Sequence, residues 1–304
     1  QLAAQKTPGT EDLSSKVFSG DNGITLIERA PYGVIGSIVP QTNPSETIIN
    51  NAICAIAGGN SIVFSIPRAA IETCKLAIKL INKAIIKAGG PSNLLTTIKE
   101  INPEVRKIIM THPKIKLLVV TGGPSLTKAA LSSGKRAICA SGGNPPVLVD
   151  DTADLTKAAK DVIAGCSFDN NLPCISEKEA IVMSSIYDEF INQLIDNGAI
   201  LLENEDLKKL EELVLVPNEN LELEHNKSVF ENQNYKINKD LVGKSARFIL
   251  SKLNISSKDS TKIIIVKTSK DHPFVTNELL MPILPIVKVK DFNEAVNEAV
   301  EVEK

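Results

Sequence analysis

KIKLLVVTGGPSLTKAA, residues Lys114 to Ala130, carries the pattern that decides the fold. Its first half is an apolar, partly β-branched run without strict alternation, as in a strand buried on both faces. Gly122, Gly123 and Pro124 break the run, and SLTKAA opens a helix. A strand-to-helix turn of this kind sets the backbone amides after Thr121 where a phosphate can approach. The spacing is not GxGxxG, and adjacent glycines at a strand end also serve as a plain tight turn, so both readings stand at this point.

The same alternation extends in both directions. Upstream lie the strands GVIGSIVP and SIVFS, helices over 45–57 and 69–87, the strand LLTTI and a helix over 103–110. Downstream, a helix over 124–133 leads to RAICA. A second half starts near Gly143 with PPVLVDD, a helix over 153–165, EAIVMSS, a helix over 187–197, and later KIIIVK and PIVKVK. Strands alternating with helices predict parallel sheets covered on both faces, hence an α/β fold in two domains, 1–142 and 143–304. Before the first sheet, VFSG and ITLIERA flank the turn-forming Asp21, Asn22 and Gly23, a β-hairpin over about 17–30. Residues 206–254 are rich in lysine, glutamate and asparagine and read as a solvated, helical and looping insertion.

Composition narrows the function. The 304 residues carry a net charge of -2 with acidic and basic side chains interspersed, so no basic stripe offers itself to a phosphate backbone and nucleic acid is not expected as a partner. The most apolar stretch, IINNAICAIAGGNSIVFSI, is interrupted by Asn50, Asn51, Gly58, Gly59 and Asn60, which argues against a membrane span. Five cysteines at irregular spacing form neither a disulfide framework nor a metal-ligand pattern, which fits a reducing cytoplasm. His112, His225 and His272 lie far apart, and no metal set is expected among them. Cys54 and Cys74 fall in apolar helical patterns and are expected in the core, with Cys166 structural at a helix end. The chain starts at Gln1 and stops in the charged helical run EAVNEAVEVEK, so a piece of a longer chain is expected.

Two polar loops carry candidate chemistry. FDNNLPCISEK, Phe168 to Lys178, sets Cys174 behind a proline among asparagines. An unpaired cysteine is more often an inert small hydrophobe than a nucleophile. IVPQTNPSET sets Asn43 between a strand end and a helix, where its amide either points into a cleft or serves as a turn or cap residue.

Taken together, PYGVIGSIVPQTNPSE, AIAGGNSIVF, VTGGP, SGGNPPVLVDD, NNLPCISEKE and NELLMPILPIVKVKD resemble, in order and spacing, the aldehyde dehydrogenase superfamily. More narrowly, the chain resembles its coenzyme A-acylating members of clostridia and of propanediol and ethanolamine utilisation, from Thr7 to Asp291. The resemblance implies an aldehyde dehydrogenase fold: a Rossmann-like NAD-binding domain to about Gly142, whose hairpin belongs to an oligomerisation arm, and a catalytic domain incomplete at its C-terminal end. It places Cys174 on the nucleophile, and Asn43, with the Cys174 amide, on the oxyanion-stabilising groups. It also places Thr121, Gly122, Gly123, Ser65 and Pro67 around the cofactor, and Glu278 on the carboxylate that binds the nicotinamide ribose.

Where hydrolytic members carry a water-activating glutamate, ICASGGNPP has Ala140. Water needs strong activation to attack a thioester, whereas a thiol with pKa about 8.5 is already partly thiolate at neutral pH. The implied reaction is therefore reversible oxidation of a short aliphatic aldehyde to acyl-CoA, with NAD or NADP as cofactor and coenzyme A as co-substrate. A homodimer or homotetramer in the cytoplasm or a bacterial microcompartment is implied with it. A hydrolytic or phosphate-dependent member is one alternative, and a degenerate nucleotide-binding or assembly-only relative is the other. Ser125, Cys139, Ser141, Pro67 and Arg68 depart from the family pattern, and the first three add bulk near the cofactor.

Overall fold

Strands that are apolar on both sides need helices on both sides, and each half of the chain builds that arrangement separately. The structure, a computed structural model, describes residues 5–98, 102–217 and 235–302. It divides into two units, Gln1–Gly142 and Gly143–Lys304.

The first unit begins with an antiparallel hairpin of β1 (Lys16–Gly20) and β2 (Gly23–Ile27). There follow β3 (Val34–Ile38), α1 (Pro44–Ala57), β4 (Ser61–Ser65), α2 (Ile71–Lys87), β5 (Leu95–Thr97), α3 (Pro103–Thr111), β6 (Ile115–Thr121), α4 (Pro124–Leu131) and β7 (Arg136–Ala140). Proline at the first position starts α1, α3 and α4, where its missing N–H costs nothing. The sheet is wholly parallel, in the order β5-β4-β3-β6-β7. Successive side chains of a strand point to opposite faces. Leu117 and Val119 accordingly pack with Ile48 and Ala52 of α1 and Cys74 and Ile78 of α2. Leu118 and Val120 pack with Ile109 and Met110 of α3 and Ala130 of α4. Burial on both faces is why KIKLLVVT reads as a continuous apolar run. Gly36 of β3 admits α3 closely, since a Cβ there would lie 2.8 Å from an Ile109 methyl. All residues of β1 and β2 are exposed, with Val17, Phe18, Ile24 and Leu26 more than half so.

The second unit contains β8 (Pro146–Val149), α5 (Leu155–Ser167), β9 (Glu179–Met183), α6 (Tyr187–Asp196), β10 (Ala199–Leu202) and α7 (Asn204–Val214). It continues with β11 (Leu215–Pro217), β12 (Tyr235–Ile237), α8 (Ala246–Lys252), β13 (Ile263–Thr268), β14 (Ile283–Val289) and α9 (Phe292–Val302). Its main sheet is also parallel, in the order β10-β13-β14-β9-β8, and β11 and β12 form a small antiparallel ribbon. One face buries Ala180, Val182, Ile263, Ile265, Leu284 and Ile286 under α5 and α6. The other carries α7, α8 and α9.

Two expectations are corrected. The stretch 206–254 is not a solvated insertion where it is described: Leu210, Val214, Leu241, Ile249 and Leu250 are buried together with Phe274 and Met281. In α7 the apolar positions Leu207, Leu210 and Val214 recur at helical spacing, while Glu205, Lys208, Lys209 and Glu212 form the outer side and hide the period in the composition. Residues 218–234 of that stretch, with His225, lie outside the described residues. Cys54, expected in the core, is exposed, because Ile48, Ala52 and Ala55 take the inward side of α1 and Cys54 turns away from them. β10 was not anticipated: AILL is too short for its four apolar residues to tell a strand from a helix. No helix among the described residues is long and apolar enough to cross a membrane.

Candidate functional site

In the first unit the candidates gather at one edge of the sheet. The strand order reverses between β3 and β6, and α1 and α4, which follow these two strands, lie on opposite faces. Such a switch point opens a crevice outside the carboxyl ends of the strands. Asn43 follows β3, Ser65 ends β4 and Pro67 follows it, Thr121 ends β6, and Gly122 and Gly123 follow that. The Val39 N–H donates to the Ser65 carbonyl at 3.0 Å and Gly122 N–H to the Ala140 carbonyl at 3.0 Å, which aligns neighbouring strand ends. A Cβ on Gly122 would lie 2.7 Å from a Leu126 methyl, whereas one on Gly123 would meet nothing within 4 Å. The turn is therefore packed beneath and open above.

Asn43 stands at the N-cap position of α1, yet its side chain makes no capping bond. The Asn43 carbonyl accepts the first helical bond from the Thr47 amide at 3.2 Å and a second from the Thr47 hydroxyl at 2.9 Å. Asn43 Oδ1 accepts from the Thr42 hydroxyl at 3.1 Å, and no acceptor meets its Nδ2 among the described residues. An N-cap asparagine normally spends its side chain on the helix; here the amide donors remain available.

In the second unit three segments enter the amino edge of three adjacent strands: residues 143–145 before β8, 171–178 before β9 and 278–282 before β14. The cysteine loop starts where α5 ends, in a turn whose Asp169, Asn170 and Asn171 all have positive φ, 46°, 54° and 62°. Aspartate and asparagine are the non-glycine residues that tolerate this region best. The turn directs Asn171 inward, 1% exposed, and its Nδ2 donates to Cys166 Sγ at 3.1 Å and to the Glu177 carbonyl at 2.8 Å. Lys178, 4% exposed, donates from Nζ to Asn171 Oδ1 (2.5 Å), Asn171 O (2.8 Å) and Pro173 O (3.0 Å). Asn171 and Lys178 thus close the base of the loop. Cys174, half-buried, sits at its tip, and no acceptor meets its backbone N–H among the described residues. A Cβ on Gly143 would lie 3.1 Å from the Cys174 carbonyl, so glycine lets the start of β8 approach the loop.

The two thiols of this region differ in burial, Cys166 being fully buried and Cys174 half-buried. Cys166 is buried, and burial pushes its thiol up to about 12, so it stays protonated. Burial lowers the pKa of Lys178, while attraction to Glu278, Cys166, Cys174 and Glu179 opposes that. Glu278 Oε1 lies 4.0 Å from Lys178 Nζ, is buried and has no hydrogen-bond partner among the described residues. Burial raises the Glu278 pKa above its ordinary 4.5, and Lys178 offsets part of this. A carboxyl raised on folding holds its proton more tightly in the native state, so its stabilising contribution is complete below 4.5 and is lost as pH rises through the native value. Glu278→Gln is expected to abolish that loss. Variant and parent should melt together near pH 4, and the variant should melt higher at pH 8, as thermal scans would read.

Nothing in the sequence singled out Lys178, Asn171 or the bridge at Gly243. The Gly243 N–H donates to the Leu280 carbonyl at 2.9 Å, and its own carbonyl accepts from Asn170 Nδ2 at 3.0 Å. Leu280 is itself in the left-handed region, φ 56°, and Gly243 has φ 69°. Gly243 therefore ties the cysteine loop to the segment of Glu278, and positive φ makes the backbone, not space, the constraint. Gly243→Ala is expected to lower stability by about 1 kcal/mol in urea unfolding, and Gly243→Asn by clearly less, since asparagine tolerates the left-handed region. Equal losses would point to a steric cause.

Comparison with known proteins extends this picture. The model of the aldehyde dehydrogenase family matches residues 3–303. An acetylating acetaldehyde dehydrogenase of Salmonella typhimurium is 42% identical over 301 residues, 99% of this chain and 62% of the relative. Among solved structures, a propionaldehyde dehydrogenase from the Clostridium phytofermentans fucose utilisation bacterial microcompartment matches with a TM-score of 0.89 and 46% identity, covering 100% of this chain and 66% of that one. The Rhodopseudomonas palustris propionaldehyde dehydrogenase, solved with bound CoA and an acylated cysteine, matches with a TM-score of 0.87 and 46% identity, covering 99% and 65%. The chain spans about 62% of the length of the curated relative.

Proposed function

The chain belongs to the aldehyde dehydrogenase family, and from that premise we propose that it serves the reversible oxidation of a short aliphatic aldehyde to acyl-CoA, with NAD or NADP and coenzyme A. The observation that carries this reading is the cysteine loop: a half-buried thiol at the tip of a loop tied at its base by two buried polar side chains. The likeness to acylating relatives supports it.

Two features fit a dinucleotide. The Gly122–Gly123 turn is open above Gly123 at the switch point of a parallel sheet. Glu278 offers a buried acceptor oxygen that a ribose hydroxyl would satisfy. Thr121, Gly122, Gly123, Ser65 and Pro67 would hold the cofactor, the likeness to the family assigns its ribose to Glu278, and once bound it would accept the hydride released from the substrate carbon.

The chain's own residues do the rest. The Cys174 thiolate adds to the aldehyde carbon, forming a C–S bond while the carbonyl π pair moves onto oxygen. The Cys174 backbone N–H, which meets no acceptor among the described residues, donates to that oxyanion, and the likeness to the family assigns the second donor to the Asn43 amide. Loss of hydride leaves an acyl thioester on Cys174. The coenzyme A thiolate attacks its carbonyl, the Cys174–acyl bond breaks, and the cysteine leaves as thiolate, ready to be used again. Where hydrolytic members of the family carry a water-activating glutamate, this chain has Ala140, at the end of β7. Ile175, 81% exposed beside the nucleophile, offers an apolar contact to a short alkyl chain.

The exposed β1–β2 hairpin is proposed to pair with further copies of the chain, because an isolated two-stranded hairpin is marginal in water. A homodimer or homotetramer, in the cytoplasm or within a bacterial microcompartment, completes the reading. Its test runs the reaction in reverse: incubation with propanoyl-CoA alone, followed by mass spectrometry of the peptides. One propanoyl group on the Cys174 peptide is expected. Acylation at another residue, or none, would refute the assignment.

A further inference from the structure

A buried lysine is costly, and Lys178 is 4% exposed. Removing an ammonium from water costs several kcal/mol unless its surroundings compensate, and an apolar side chain of similar volume would avoid that cost. Three acceptors compensate it here, and they are not scattered: two belong to Asn171 and one to Pro173. An ammonium has three protons and no lone pair, so all three donors are committed and the group cannot act as a base. Two of the acceptors are backbone carbonyls in the segment that leads into Cys174, which fixes the direction of the chain as it reaches the nucleophile. The same cation lies 4.0 Å from Glu278 Oε1, and its 3.0 Å bond to the Pro173 carbonyl sets it one residue before Cys174 in the chain.

The geometry points to Lys178 as a positioning residue for the proposed reaction: a fixed cation that braces the Asn171–Pro173 backbone and presents positive charge to Cys174 from inside the loop. It acts through Cys174 and Glu278 and takes no proton. A thiolate formed at Cys174, and the thiolate regenerated when the acyl group leaves, then face a counter-charge that needs no reorganisation. Asn171 extends the brace, since its Nδ2 holds the Glu177 carbonyl on the far side of the loop.

This inference rests on the proposed role of Cys174, but its test needs no turnover. The rate of Cys174 alkylation is measured by peptide mapping with two reagents of similar size, anionic iodoacetate and neutral iodoacetamide, at low ionic strength. Their ratio reports the local field and is insensitive to a general loosening of the loop. Lys178→Met is expected to lower the iodoacetate-to-iodoacetamide ratio by about threefold or more, and Lys178→Arg to restore it. Lys178→Gln, which keeps donors but no charge, is read in parallel should the methionine variant fail to fold, and is expected to behave like methionine. A ratio unchanged in the neutral variants would overturn the proposal. If the proposed acylating activity were absent while the ratio fell as expected, the functional reading would fail and the charge assignment would stand.

Discussion

Cys174→Ala is expected to reduce coenzyme A-dependent NADH formation by at least about a thousandfold while leaving the unfolding midpoint close to that of the parent. A thiol that forms the covalent intermediate has no substitute in the loop. Cys166, eight positions upstream, cannot take over: it is fully buried, its thiol is pushed up to about 12, and its sulfur accepts from Asn171. The fold should tolerate the change, because the ties that close the loop run through Asn171, Glu177 and Lys178. A variant of normal stability and normal activity would remove Cys174 from the mechanism.

Asn43→Ala is expected to lower kcat by roughly a hundred- to a thousandfold, the usual cost of losing one oxyanion donor. The competing view, that Asn43 caps α1, predicts something different: about 1 kcal/mol of lost stability and little loss of rate. The side chain makes no capping bond and its Nδ2 meets no acceptor among the described residues, so the rate should fall and the stability should hold. Urea unfolding and steady-state rates on the same preparation separate the two. Asn43→Asp should be at least as damaging, since a carboxylate would repel the developing negative charge.

Much of this is legible in the sequence alone. KIKLLVVT declares a strand buried on both faces, and the turn after Thr121 follows from two glycines and a proline. The alternation of such strands with helices gives parallel sheets but not the edge at which chemistry collects. In the first unit the candidate residues stand at the carboxyl edge, after β3 and β6; in the second they stand at the amino edge, before β8, β9 and β14. Lys178 stayed hidden for a physical reason. A lysine between Glu177 and Glu179 looks like solvated charge, and its burial depends on carbonyls brought inward by three successive left-handed residues. Gly243 stayed hidden because the partners that give it meaning, Asn170 and Leu280, are distant in sequence. Residues 206–254 misled because lysine and glutamate on the outer side of α7 outweigh its three inward leucine and valine positions in any average.

The most direct test of the central claim is the rate of NADH formation from propanal by the whole protein, with and without coenzyme A. The account predicts formation that requires coenzyme A and yields propanoyl-CoA, because nothing at Ala140 activates water. NADH formed equally fast without coenzyme A, with release of propanoate, would contradict it.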